Sequence, residues 1–213
     1  MDTNKKHIIN KKIEKTLENL KRNNMQALYV DNKEQLADKI KELIEEGSTI
    51  TCGGSMTLFE TGIMEHLRSG RYHLYDRYKP ELTPEQVREI FIEAFSSDAY
   101  ICSSNAITEE GELYNVDGNS NRVAAMLYGP KNVIVVAGYN KIVKNLDEAV
   151  ARVQSIAAPA NAARLNCKTP CVEIGHCTSC KSKDRICSNY VVMAQQRDKD
   201  RIKVIIVGEE FGY

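Results

Sequence analysis

The chain has 213 residues, 42% of them hydrophobic and 27% charged, a size and balance that suit one globular domain or one domain with a small appendage. Its 29 lysines and arginines meet 29 aspartates and glutamates, so no overall field argues for a nucleic-acid or anionic-membrane partner. No run approaches the ~18 apolar residues of a membrane span, and the opening MDTNKKHIINKK lacks the apolar core of a signal peptide, so the expectation is a cytoplasmic protein.

Residues 4–24 read as a helix, with Ile9, Ile13, Leu17 and Leu20 on one face, suited to covering a sheet or another subunit. Ala27 to Val30 is a short strand. Asp31 is placed to cap a second helix, with Glu34 at capping-box spacing and Leu36, Ile40, Leu43 and Ile44 inward, and Gly47 ends it. Ser48 to Cys52 is a strand running into Gly53-Gly54-Ser55-Met56-Thr57 and a helix from Leu58 to Leu67. Such a turn lets backbone approach a ligand, or is simply a tight connection; it is neither a Walker loop nor a full dinucleotide fingerprint. Tyr72 to Tyr75 reads as a strand. Thr83-Pro84-Glu85-Gln86 supplies cap, first-position proline and capping-box glutamine for a helix to Phe95.

The apolar run Ala99 to Cys102 stops at Ser103-Ser104-Asn105, putting small polar groups at the carboxyl edge of a sheet, where open α/β sheets bind ligands. Gly111 and Gly118 bracket a small hairpin around residues 112–116, and residues 119–121 offer caps for a helix through Leu127. Val133 to Ala137 suits a strand buried on both faces. A long helix follows over residues 145–165, with Leu146, Ala149, Val150, Val153, Ile156 and Ala157 inward and a kink at Pro159. Two closing strands, Tyr190 to Met193 and Val204 to Val207, are separated by a charged turn too short for a crossover and are expected to pair antiparallel. Alternating strands and helices predict an α/β fold, a Rossmann-like, mostly parallel sheet. The chain divides into a first helix (1–26), an α/β body (27–165), a cysteine-rich segment (166–189) and strands completing the body (190–213).

Seven cysteines, five of them from Cys167 to Cys187, favour metal or redox chemistry over a disulfide framework. Cys177 and Cys180 form a C-x2-C pair, flanked by Cys171 and Cys187. Four sulfurs with five, two and six residues between them suit an iron–sulfur cluster, [4Fe–4S] for preference, better than a closed zinc knuckle; zinc and free or disulfide-forming thiols are the alternatives. His176 is an alternative ligand or a loop residue facing solvent. Cys52 and Cys102 end apolar runs and read as small buried hydrophobes, and His66 and His73 have no partner pattern.

These residues resemble the LUD-domain family, named for lactate utilisation and related to the lactate-utilisation protein C group. The resemblance rests on Gly53 to Leu58 with Glu60 and Gly62, Asn105 to Gly111, Asn115 with Asp117-Gly118-Asn119, Asn121 to Ala125, Val133 to Gly138 and Lys141-Ile142-Val143. Asn161, Arg164-Leu165, Thr169-Pro170-Cys171, Cys177, Cys180 and Arg185-Ile186-Cys187 are similar to its cysteine-bearing subgroup, with Cys167 outside that pattern. The resemblance implies the fold of sugar-phosphate isomerases and CoA transferases, oxidation of lactate or a similar hydroxyacid, and iron–sulfur oxidoreductase partner subunits.

Three functions follow as expectations. In the first, a cluster on Cys171, Cys177, Cys180 and Cys187 serves redox chemistry on a small carboxylate, making the chain an oxidoreductase or a subunit of one. In the second, a non-redox isomerase, transferase or hydrolase grips a small carboxylate or phosphate with Gly53, Gly54, Ser55, Thr57, Asn105, Thr108, Asn119 and Arg122. Glu60, Glu109 or Asp117 then moves protons, and the cluster serves as Lewis acid or architecture. Asp117 also reads as shaping the Asp-Gly turn, and Glu109 as a solvated turn residue. In the third, zinc fixes the tail of an assembly subunit. A homo-oligomer is left open, and neither nucleic acid nor membrane is expected as a partner.

Overall fold

The computed structural model describes residues 2–213, and Met1 of the first segment lies outside the described residues. Thr3–Arg22 forms α1, capped by Asp2, whose carboxylate accepts from the Asn4 and Lys5 amides at 3.0 Å. Ile13 and Leu20 are buried on the sheet, with Ile9 and Leu17 packed beside them, so the stripe is satisfied within the chain. Gln26–Val30 is β1. Asp31 does not cap the next helix. A 3-10 turn over Lys33–Gln35 intervenes, and Gln35 Oε1 accepts from the Asp31 amide at 2.8 Å, leaving no capping box with Glu34. Leu36–Leu43 is α2 and Thr49–Cys52 is β2.

The single helix expected after the Gly-Gly-Ser turn is two, Met56–Glu60 (α3) and Ile63–Leu67 (α4). Gly62 stands between them at φ 75°, a left-handed conformation that ends one helix and re-aims the next. His73–Leu74 is β3, and Pro84–Glu93 is α5, with the expected Thr83–Gln86 capping box present. Then come Ala99–Cys102 (β4), Ala106–Thr108 (β5), Leu113–Asp117 (β6), Asn121–Tyr128 (α6), Val133–Gly138 (β7) and Ile142–Val143 (β8). The long helix is interrupted: Leu146–Arg152 (α7), a π turn over Val153–Ala157, and Ala158–Arg164 (α8). Pro159 has no amide to give and its ring crowds the carbonyl four residues back; a wider turn relieves both. The surplus residue also moves Ile156 off the inward face, where it was expected, to 50% exposure. Pro170–Ile174 (α9), Asn189–Met193 (β9) and Ile202–Val207 (β10) complete the fold.

The main sheet has the order β1-β10-β7-β4-β2-β3 with every pair parallel. Its alternation is clearest in β7. Val133, Val135 and Ala137 face the side covered by α1 and α6, while Ile134 and Val136 face α2, α3 and α4. A smaller sheet, β8-β5-β6-β9, lies over the first side. It buries Ile107, Leu113 and Met193 against the main core, and Ala106 and Tyr114 against Ala149, Val153 and Ala157. The two closing strands do not pair with each other: β9 runs antiparallel to β6, and β10 lies parallel between β1 and β7. The reason is that each finds an open strand edge in a different sheet, and the charged turn spans the step between them.

Gly111, at the hairpin turn, has φ 81°, and a Cβ there would lie 2.6 Å from the Asn19 carbonyl carbon and the Leu20 amide of α1. Gly111→Ala is therefore expected to cost more than about 2 kcal/mol, from left-handed strain plus a backbone clash. Urea denaturation checks it, and an unshifted midpoint would refute this packing of hairpin on helix. Burial pushes the Cys52 and Cys102 thiols up to about 12, as befits packed hydrophobes. No helix among the described residues is long and apolar enough to cross a membrane.

Candidate functional site

The carboxyl ends of β2, β4, β7 and β10 meet at one rim, and a cavity of about 310 Å³ opens there. Each rim segment stops being apolar where its strand stops. Gly54 and Ser55 follow β2, Ser103, Ser104 and Asn105 follow β4, Lys141 follows β7, and Tyr213 arrives after β10. The last residues are strapped across the rim. The Phe211 amide donates to Asn140 Oδ1 at 3.1 Å, and the Gly212 amide to Glu60 Oε2 at 2.6 Å. The outer wall comes from the end of β6, the start of α6, Asn161 and Arg164 of α8, Arg77, and Arg185 with Ile186 from the cysteine segment.

Arg122, at the start of α6, organises the polar wall and is nearly buried at 8% exposure. Nη1 donates to Ser103 O at 3.1 Å and Asn115 Oδ1 at 2.6 Å; Nη2 donates to Asn105 Oδ1 and Val116 O, each at 3.0 Å. Its fork is thus filled by protein acceptors. The expected free anion ligand is instead the clamp that holds the β4 loop to β6. Asp117 is engaged too. Its Oδ2 accepts from the Val123 amide at 3.1 Å and lies 3.7 Å from Arg122 Nε, while Oδ1 accepts from Gly118. It caps α6 in place of residues 119–121, since Ser120 sits at φ 62° and makes no side-chain cap.

Gly54, Ser55, Asn105, Asn119, Asp117 and Arg122 line the cavity. Gly53 lies behind it: a Cβ there would stand 2.7 Å from Tyr100 Oη, so glycine is required for close packing. Thr57 is buried one layer back and reaches the cavity through Lys141. Thr108, Glu109 and Glu60 are absent from the wall. β5 carries Thr108 and Glu109 away from the rim toward α1. There the Thr108 hydroxyl donates to Glu112 at 3.0 Å and Glu109 pairs with Lys15 at 3.2 Å. Glu60 is occupied by the Gly212 amide.

Lys141 is the residue that local pattern reasoning misses as chemistry. It is 2% exposed, and Nζ donates to Thr57 Oγ1 at 2.9 Å and Ser103 Oγ at 3.0 Å. Burial, with Arg152 and Arg122 nearby, lowers its pKa from 10.5 to about 7. Its signal in the sequence is a lone lysine just past the most apolar strand. Arg152, also missed, fixes two rim loops by donating to Asn105 O at 2.7 Å and Asn140 O at 3.2 Å. Among the described residues the basic side chains that line the cavity are Arg77, Arg122, Lys141, Arg164 and Arg185, and Asp117 is the one lining carboxylate. Arg77 Nε is buried with no hydrogen-bond partner among the described residues.

Cys171, Cys177, Cys180 and Cys187 line one small hollow beside this cavity, with Ala158, Ala162 and Thr169; Arg185 and Ile186 border both spaces. Arg185 donates to Cys187 O at 2.7 Å and Cys180 O at 2.9 Å, pinning two of the four cysteine backbones. The Ser179 amide donates to Cys177 Sγ at 3.3 Å, and Thr169 Oγ1 lies 3.2 Å from Cys171 Sγ. Cys167 and His176 do not line the hollow. Among the described residues no three His, Cys, Asp or Glu side chains are gathered as a single metal ion requires.

The family model of the LUD domain matches residues 13–207. A crystal structure of a DUF162 family protein from Deinococcus radiodurans is 16% identical, with a TM-score of 0.53 over 95% of this chain and 98% of that one, a likeness of fold. Lower likeness extends to a malonate decarboxylase alpha subunit from Acinetobacter baumannii (10% identity, TM-score 0.39, 99% of this chain and 38% of that one). It extends also to eIF2B beta from Chaetomium thermophilum (15% identity, TM-score 0.38, 55% of this chain and 41% of that one). No curated protein matches the chain. The family match runs from within α1 to the end of β10, and the chain belongs to the LUD domain family.

Proposed function

We propose that the chain binds a small carboxylate or phosphate in the rim cavity and takes part in redox-linked conversion of a small hydroxyacid. An iron–sulfur cluster on Cys171, Cys177, Cys180 and Cys187 belongs to this reading. The observation that carries it is the charge of the cavity wall: four guanidinium groups, three of them besides the filled fork of Arg122, face one carboxylate that is already paired, and a bound anion would offset them. The donor set fits the cluster. Four cysteines line one hollow, and four thiolates are the number that a cluster of this kind takes from its protein. The hollow has room for about one water, roughly 10 Å³, so seating a cluster requires the irregular loop 175–188 to open around it.

Under this proposal Arg164 and Arg77 hold the anion, and Lys141, neutral above about pH 7, accepts the hydroxyl proton of a bound 2-hydroxyacid. The tail around Tyr213 limits water at the rim. A cluster, when bound, would accept electrons singly one wall away, behind Arg185 and Ile186; the oxidation releases two electrons and the C2 hydrogen as a second proton to solvent, so partner iron–sulfur subunits would draw off the first electron before the second arrives. Lys141 also favours a second reading, a proton-transfer enzyme without redox chemistry, in which the cysteine centre is architectural.

Anaerobically purified protein is expected to be brown, with iron and sulfide in equal amounts and absorbance that bleaches on reduction. A colourless protein with stoichiometric zinc removes the redox half. Calorimetric titration with 2-hydroxybutanoate and with inorganic phosphate tests the anion half. Arg164→Ala should weaken binding roughly 10- to 100-fold, the worth of a charge-assisted hydrogen bond. Unchanged affinity would place the anion elsewhere.

A further inference from the structure

We infer that Lys141 is an imine-forming residue, whose Nζ condenses with the carbonyl carbon of a 2-oxo acid while cavity arginines hold the carboxylate. The inference rests on the anion site proposed above and names its substrate class. Geometry carries it. Lys141 is buried yet lines the cavity, and its two hydrogen-bond partners, Thr57 Oγ1 and Ser103 Oγ, are both hydroxyls. Those hydroxyls have acceptors of their own, Phe211 O at 3.4 Å and Ser104 O at 3.3 Å, so each is free to receive a hydrogen from Nζ. An amine that donates both hydrogens to these oxygens is left with its lone pair as the one group not tied to the protein. Among the described residues no carboxylate is within hydrogen-bond reach to hold it as an ammonium: Glu60, the acid that acts on it, binds the Gly212 amide instead.

The surroundings push the same way. Arg152 and Arg122 disfavour a further positive charge, and a desolvated lysine beside other cations is a nucleophilic amine near neutral pH. Addition forms the C2–N bond. Loss of water then breaks the C2–O bond, the ketone oxygen leaving with both amine hydrogens. No electrons change hands. Ser103 Oγ, 3.0 Å from Nζ, is placed to relay a proton to the departing oxygen.

The test is borohydride trapping on the purified full chain with 2-oxobutanoate, read by intact mass and peptide mapping. A reduced adduct on Lys141, near one per chain, blocked by excess inorganic phosphate and formed faster as pH rises through about 7, is expected. 2-Hydroxybutanoate, with the same charge and no ketone, should give none. Lys141→Met, which removes the amine and adds no charge, should also give none. A titration showing that 2-oxobutanoate binds, with no adduct or with adducts spread over surface lysines, overturns the imine and leaves the anion site standing. Absence of binding by 2-oxobutanoate, 2-hydroxybutanoate and phosphate alike overturns both.

Discussion

Arg122→Met is expected to destabilise the protein by roughly 3–5 kcal/mol, the usual cost of removing one partner from a buried charged network. In a chain of this size that is a fall in Tm of about 6–20 °C. Two asparagine side-chain oxygens, two backbone carbonyls and Asp117 lose their donor together. Asn115 is fully buried and cannot recover its bond by hydration, while the other acceptors border the cavity and lose the clamp that holds their loops together. Methionine has similar length and no donors, which separates the lost hydrogen bonds from lost packing. Arg122→Lys should fall between the two, because an ammonium cannot reproduce the planar fork. Differential scanning calorimetry decides the matter. A Tm within about 2 °C of wild type would mean that the guanidinium is spare and free to hold a ligand.

Lys141→Met should act in the opposite direction. The folded state holds this amine at a pKa of about 7, against 10.5 when unfolded. Below pH 7 both states bind the proton and the native protein carries a desolvated ammonium. Between about 7 and 10.5 the unfolded state binds more protons, so stability rises with pH by up to about 1.4 kcal/mol per unit. Methionine removes that dependence. The variant should be more stable than wild type at pH 6, by on the order of 3 kcal/mol, and the gap should close as pH approaches 10. The charged groups acting on Nζ are Arg152, Arg122 and Glu60, with the Cys102 thiol, and all are retained in the variant. Urea denaturation of both proteins across that range, compared as a difference, cancels groups elsewhere. Parallel pH profiles would show that Lys141 is an ordinary charged lysine.

What the chain declares locally, it declares well. The β-branched run of β7 can hardly be anything but a central strand, and the Thr83–Gln86 box writes its own helix start in four residues. The serines and asparagine after β4 announce the rim for a similar reason: polarity returns abruptly where burial ends. The four sulfurs are legible as a group from spacing alone, and they do line one hollow. Other features depend on partners far along the chain. Nothing near Arg122 says that two asparagines will fill its fork, so a cation in a polar loop reads as free until the hairpin is folded beside it. Thr108 and Glu109 read as site residues because they follow Asn105 closely, yet three residues of strand are enough to carry them to the opposite end of the small sheet. Lys141 enters the family likeness in Lys141-Ile142-Val143, but nothing in that short segment points to chemistry. Its chemistry comes from losing water on all sides, a property of the packed molecule rather than of any short window.

The π turn at Val153–Ala157 also fixes the direction in which the next helix points. Trimming one residue there, so that the coil ran evenly, would rotate α8 by about 100° around its own axis. Asn161 and Arg164 would then swing off the cavity wall. The Gln154 carbonyl, which receives the Cys177 amide at 2.9 Å, would turn with it and release the cysteine loop. A single surplus residue thus acts as the angular setting by which the anion cavity and the sulfur hollow are brought into phase.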